Sequence, residues 1–110
     1  ERLFDILDAI EQGRLAVGDL SLESFSQRRM NQLAAERAIE IISEASRHLP
    51  EPLKAQATSV PWRDVADIGN VLRHVYEKVD AKIIWSAIRK DFDVLEQAVR
   101  AMLASLPEQD

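Results

Sequence analysis

The 110 residues suit one hydrophobic core and a single domain over 1–110, and the absence of cysteine excludes disulfides and thiolate metal sites. Hydrophobic residues make up 46% and charged residues 30%, with three glycines and four prolines, a balance that fits a soluble helical domain with few turns. A formal net charge of −5 argues against bulk affinity for nucleic acid, while leaving room for a small basic pocket, above all one built from two subunits. No apolar run approaches the ~18 residues of a membrane span and no signal-peptide pattern opens the chain, so the cytoplasm is the expected setting.

Leu3, Phe4, Ile6, Leu7 and Ile10 recur at helical spacing and predict a first helix ending near Gly13. It begins at the first residue, which is not Met, so the N-terminus is read as truncated. Leu15 to Ser24 reads as a connection with Asp19, Ser21 and Ser24 as caps, and Phe25 as an anchor onto the core. Gln27 to His48 is the longest predicted helix. Its expected buried stripe is Met30, Leu33, Ala34, Ala38, Ile41, Ile42, Ala45 and Leu49, with Arg37 and Glu44 beside it. Pro50 and Pro52 stop this helix, and Glu51 to Ser59 reads as a loop.

Pro61 suits the first turn of the next helix, which runs to about Lys78. Asp80 then caps a last helix through Leu106, with Ile84, Ile88, Phe92, Leu95, Val99, Met102 and Leu106 inward. Asp91 suits the cap of a fresh segment, which predicts a kink near Lys90. With no strand alternation and no repeat, the fold class is all-α, an up-and-down four-helix bundle.

The stretch from Pro61 to Asp80 carries the best lead to chemistry. At ~100° per residue, Val65, Ile68, Leu72 and Val75 fall in one compact stripe. Asn70 and His74 lie almost opposite that stripe, and Arg73 and Tyr76 flank Gly69. A core histidine would share the apolar stripe, and His74 does not.

No second histidine joins His74 on that helix and no repeated Glu-x-x-His pair occurs, so neither a metal nor any other cofactor is expected. The serines fall at caps and connections, and the scattered glycines form no phosphate loop. His74 can move a proton near neutral pH, Arg73 offers a fixed fork for phosphate, and Asn70 can orient a bound group. Together they suit a metal-free cleavage of RNA in which the ribose 2′-OH attacks the adjacent phosphorus. On residue types and geometry alone, the polar face of a surface helix is the favoured reading of Asn70, Arg73, His74 and Tyr76.

The segment from Pro61-Trp62-Arg63 through Asn70, His74, Tyr76, Val79-Asp80 and Ile83-Ile84-Trp85 resembles a pattern of the HepT-like proteins of the HEPN superfamily. That pattern reads PWR, an apolar stretch, Arg-Asn-x-x-x-His-x-Tyr, and Val-Asp before an apolar–Trp helix. The earlier helix is similar to the family's Arg-x-x-Glu-Ile-Ile-Gly-Glu-Ala, through Arg37, Glu40, Ile41, Ile42, Glu44 and Ala45. The resemblance implies a HEPN-like helical bundle that forms a homodimer, with Arg-x4-His motifs meeting in a cleft between subunits. It also implies a toxin endoribonuclease of a toxin–antitoxin pair, acting on RNA. Its partner would be a cognate minimal nucleotidyltransferase antitoxin that neutralises it by transferring AMP onto Tyr76. Arg37 and Glu44 then support the site.

One departure bears on activity: the motif arginine falls on Gly69, which supplies no cation. Two readings compete. The first is a ribonuclease using His74, Asn70 and Arg73, with Arg73 leaning over the space glycine leaves. The second is a non-catalytic nucleotide- or protein-binding dimer that keeps the nucleotidyltransferase partner.

Overall fold

The first helix, α1 (Arg2–Val17), ends where Gly18 takes φ 53°, a conformation that costs glycine nothing. Gly13 therefore does not stop it. It lies inside the helix, where a Cβ would stand 2.9 Å from the Phe92 ring and 3.3 Å from Ala38 Cβ. Leu15, expected in a connection, is helical and exposed, as is Phe4. The computed structural model describes residues 2–74 and 80–107, and of residues 73 and 74 the backbone alone.

After the turn comes α2 (Leu22–Ser26), capped as expected by Ser21, whose Oγ accepts from Ser24 N–H at 3.1 Å. Phe25, on α2, is fully buried. Two side chains from the far end of the chain hold the preceding turn. Trp85 Nε1 donates to Leu20 O at 3.0 Å, and Arg89 donates to Gly18 O and Leu20 O, each at 2.9 Å. Arg89 also stacks over the Trp85 ring at 5.1 Å.

Small side chains on α3 (Arg29–Arg47) bring its neighbours close. Ala35, Ala38, Ala45, Ser43 and Ser46 are all buried, so α1 lies against one side of α3 and α5 (Trp62–His74) against another. Ala38, Ile42, Ala45 and Leu49 of the expected stripe are buried, but the rest of the stripe is not. Met30 and Leu33 are 83% and 49% exposed, Ala34 is exposed and Ile41 is half-buried. Gln32, Ala35, Ile39, Ser43 and Ser46 take the inner positions. Polar residues can line this face because their hydrogen bonds are made locally: Gln32 Nε2 donates to Phe25 O at 2.7 Å and Ser46 Oγ to Ser43 O at 2.7 Å.

The segment expected as a loop contains one short turn of helix, α4 (Glu51–Lys54), with Pro52 in its first turn, where a missing N–H costs nothing. Beyond α5, Asp80 caps α6 (Ala81–Ser86) by accepting from Lys82 N–H at 2.9 Å. The expected kink is a π-helical turn over Ala87–Asp91, followed by α7 (Phe92–Ser105), and Asp91 makes no side-chain cap there. Ile84, Ile88, Phe92, Leu95, Val99 and Met102 are buried as expected, whereas Leu106 lies past the helix end and is exposed. The four long rods are α1, α3, α5 and the run from α6 through α7. They form the all-α, HEPN-like bundle, and the described residues include no strand.

An ion-pair cluster ties α1 to α7. Arg14 meets Glu96 Oε1 and Asp93 Oδ1, both at 2.7 Å, and Arg100 closes on Glu96 Oε2 at 3.0 Å. Those contacts hold the Glu96 carboxyl below its ordinary range, chiefly through the hydrogen bond from Arg14 and then that from Arg100.

Candidate functional site

Two bonds fix how α5 lies on α3. Ser43 Oγ donates to Ala66 O at 2.8 Å and accepts from Gly69 N–H at 3.1 Å, so one hydroxyl bridges a turn of α5. Arg47, one turn along α3, also donates to Ala66 O at 2.8 Å. Rising numbers on α5 meet falling numbers on α3, so the two helices are antiparallel. The α5-facing row of α3 is thus Arg47, Ser43, Glu40 and Glu36, running toward the C-terminal end of α5. Glu36 lies 3.7 Å from Arg29, and burial pushes its carboxyl above the ordinary range against the pull of Arg29, with Glu40 adding to the rise.

Gly69 is buried at this crossing, and a Cβ there would overlap the Ser43 hydroxyl and lie 2.6 Å from Ser43 Cβ. The space over residue 69 is therefore not empty, as expected for a leaning Arg73, but filled by Ser43. Leu72 is buried beside it and Val65 and Ile68 are half-buried, so the predicted apolar stripe faces the bundle. Asn70, next to Gly69, is exposed. The α5 backbone carries Arg73 and His74 within the following turn, the helix running to His74. Their side chains, and Tyr76 and Val75 altogether, lie outside the described residues.

Arg37 and Glu44 sit on the outer side of α3. Arg37 pairs with Glu40 at 3.2 Å, and Glu44 Oε2 lies 3.0 Å from His48 Nε2. With Arg2 and Asp5 of α1 they line an open concavity of about 300 Å³. Among the described residues, no three histidine, aspartate or glutamate side chains gather as metal ligands would. No helix among them is long and apolar enough to cross a membrane. Ser43 and Arg47 were not singled out as site residues by the sequence. A signal for Ser43 does exist, because it stands where the HepT-like pattern has glycine, just as Gly69 stands where that pattern has arginine.

The fold and the matched motif agree with the comparisons. The family model for ribonuclease HepT-like proteins matches residues 6–102. A Thermococcus cleftensis protein named "Probable ribonuclease HepT" is 34% identical over 94 residues, 86% of each chain. Two proteins provisionally named RNases are also similar. One, from Methanocaldococcus jannaschii, is 29% identical over 88% of this chain and 89% of its own. The other, from Caldanaerobacter subterraneus subsp. tengcongensis, is 34% identical over 79% of this chain and 78% of its own. No solved structure matches the chain significantly. The bundle, the Asn70–His74 spacing on α5 and a family match spanning α1 to α7 converge on one conclusion: the chain belongs to the ribonuclease HepT-like family.

Proposed function

We propose that the chain is a metal-independent endoribonuclease whose site is built on α5 from Asn70, Arg73 and His74. The ribose 2′-oxygen attacks the adjacent phosphorus as His74 moves its proton. The P–O5′ bond breaks, O5′ leaves with a proton, and a 2′,3′-cyclic phosphate remains. Arg73 neutralises the charge that grows on the phosphorane oxygens, and Asn70 orients the phosphate. The observation that carries this reading is the family match over residues 6–102, together with the retention of Asn70 and His74 one turn apart on α5. Purified wild type should cleave RNA, and His74→Ala should cleave at least about 100-fold more slowly. Equal cleavage by both proteins would point to a contaminating nuclease and defeat the reading.

The working form is a homodimer with the α5 helices near its two-fold axis. Isologous pairing would bring two copies of Arg73 and His74 into one pocket and concentrate positive charge on an acidic protein. Arg37 and Glu44 support that pocket from α3. Light scattering that finds a monomer at micromolar concentration would count against it. In its toxin–antitoxin role, a minimal nucleotidyltransferase silences the enzyme by transferring AMP from ATP to the Tyr76 hydroxyl, with release of pyrophosphate. The phosphodiester puts negative charge where an RNA phosphate would bind. Mass spectrometry should find the AMP adduct on wild type and none on Tyr76→Phe.

A second reading is favoured by Gly69. Glycine in place of the motif arginine suits a dimer that binds a nucleotide or a protein without cutting RNA. Retention of the nucleotidyltransferase partner with no His74-dependent cleavage would select it.

A further inference from the structure

Ser43 does two things where α3 crosses α5. Its hydroxyl bridges the Ala66–Gly69 turn, donating to one backbone group and accepting from the other. Its Cβ and Oγ occupy the space in which any side chain at 69 would begin. Ser43 is 1% exposed, so both bonds are made inside the crossing. Behind it, Ser46 donates to the Ser43 carbonyl at 2.7 Å, and beside it Arg47 holds the same Ala66 oxygen.

The bridged turn is followed directly by Asn70 and then by the turn that ends at His74. A helix transmits rotation along its axis. A side-chain tip about 6 Å from that axis moves about 1 Å for every 10° of rotation. A displacement of that size can cost about 100-fold in rate. Whatever sets the rotation of the 66–69 turn therefore sets the aim of the polar groups after it. The hydroxyl reaches both backbone atoms because residue 69 has no Cβ. With Ser43 trimmed to its backbone, the nearest α3 atom to a Cβ at 69 is Ser43 Cα, at 4.0 Å. The two positions are thus a coupled pair: a side chain on either one excludes a side chain on the other.

We propose that Ser43 is a positioning residue of the candidate site, its hydroxyl setting the rotation at which α5 presents Asn70, and that it depends on glycine at 69 to do so. The catalytic consequence rests on the ribonuclease reading; the hold on α5 rests on the geometry of the crossing.

The test uses the full chain and two readouts, amide hydrogen exchange at Gly69 and Asn70 and steady-state RNA cleavage. Ser43→Ala keeps most of the volume and loses the hydroxyl. It should speed exchange at Gly69 about tenfold or more. With the folded fraction measured by circular dichroism, it should also lower kcat per folded molecule about tenfold, with KM within about twofold. Wild-type exchange at Gly69, or faster exchange with kcat unchanged, overturns the proposal. Gly69→Ala alone meets Ser43 and is expected to be destabilised, whereas Ser43→Gly with Gly69→Ala clears the overlap. That double variant should fold and still show the low kcat, since the hydroxyl is gone, and full activity in it overturns the proposal. A wild type that leaves RNA intact defeats the ribonuclease reading alone. Exchange at Gly69 and the Asn70 side-chain amide resonances in Ser43→Ala then decide the proposal, upheld if they change and overturned if they do not.

Discussion

Ser43 and Gly69 share one side chain's worth of space: the serine fills it, and the glycine donates its N–H to the serine hydroxyl at 3.1 Å. Gly69→Arg, which would restore the motif arginine, therefore does not simply add a cation. It drives a Cβ into Ser43 at a buried crossing, and overpacking there costs about 3 kcal/mol or more. The gain in helix propensity from losing a glycine, about 1 kcal/mol, does not offset it. Thermal unfolding should show Gly69→Arg losing about 10 °C or more in Tm. Pairing it with Ser43→Gly should recover most of that loss. A stable single variant would mean that α3 and α5 separate cheaply.

The Arg14 cluster predicts a pH-dependent tie between α1 and α7. Arg14 and Arg100 hold the folded-state pKa of Glu96 below its ordinary value of 4.5. A carboxylate depressed in this way contributes stability that is fully present above the unfolded value and is lost as pH falls through the folded one. Both partners are partly exposed, so the tie is modest. Arg14→Ala should cost about 1 kcal/mol at neutral pH. Its melting curve should converge on that of wild type as the pH falls below 4.5 and through the depressed folded-state value. A gap that stays constant with pH would assign the loss to packing of the Arg14 stem.

Gln32 is 1% exposed, and its Oε1 has no partner among the described residues. Its Nε2 donates to Phe25 O, which also accepts from Arg28 N–H at 3.1 Å and so stays paired without the glutamine. Gln32→Met removes a buried polar atom without orphaning another. Its stability in urea should lie within about 1 kcal/mol of wild type, on the side of a gain. Gln32→Ala should cost about 2–3 kcal/mol, because it leaves a cavity. A large loss in the methionine variant would show that the unpaired Oε1 has a partner in solution.

What the sequence could reveal here follows from the range of the interactions. Ser21 and Asp80 were legible as caps because a cap is local: a short polar side chain bonds an N–H two or three residues on. Phe25, Ile88 and Phe92 were legible as core because large apolar side chains at helical spacing have few other places to go. The first half of the α3 face was misread because Met30 and Leu33 outweigh Gln32 in any apolar count, while hydrogen bonds from Gln32 Nε2 and Ser43 Oγ let polar side chains sit inside. Gly13 was misread as a stop because glycine punctuates helices, whereas here it lets Phe92 and Ala38 approach. The site followed the same rule. Asn70 and His74 were visible as a one-turn pair on α5. The Ser43–Gly69 contact spans 26 residues, and no periodicity within either helix reports it.

That contact also reshapes what is expected of Arg73. The sequence suggested that Arg73 could lean over the space left by Gly69, about 6 Å back along the axis. Ser43 fills that space, so the proposed role of Arg73 rests on its place on α5, in the turn that also carries His74. Its part in the proposed chemistry is to pair with the phosphate through a planar fork, and lysine supplies the charge without the fork. Arg73→Lys should therefore keep about a tenth of wild-type kcat/KM and Arg73→Ala about a hundredth or less. The shorter lysine loses affinity as well as rate, so its KM for RNA should rise. Both variants should melt with wild type if the arginine serves the substrate rather than the fold. Wild-type cleavage by Arg73→Ala would remove Arg73 from the mechanism. The site's cation would then have to come from another arginine, with Arg47, already anchored on the α5 backbone at Ala66, the first to replace.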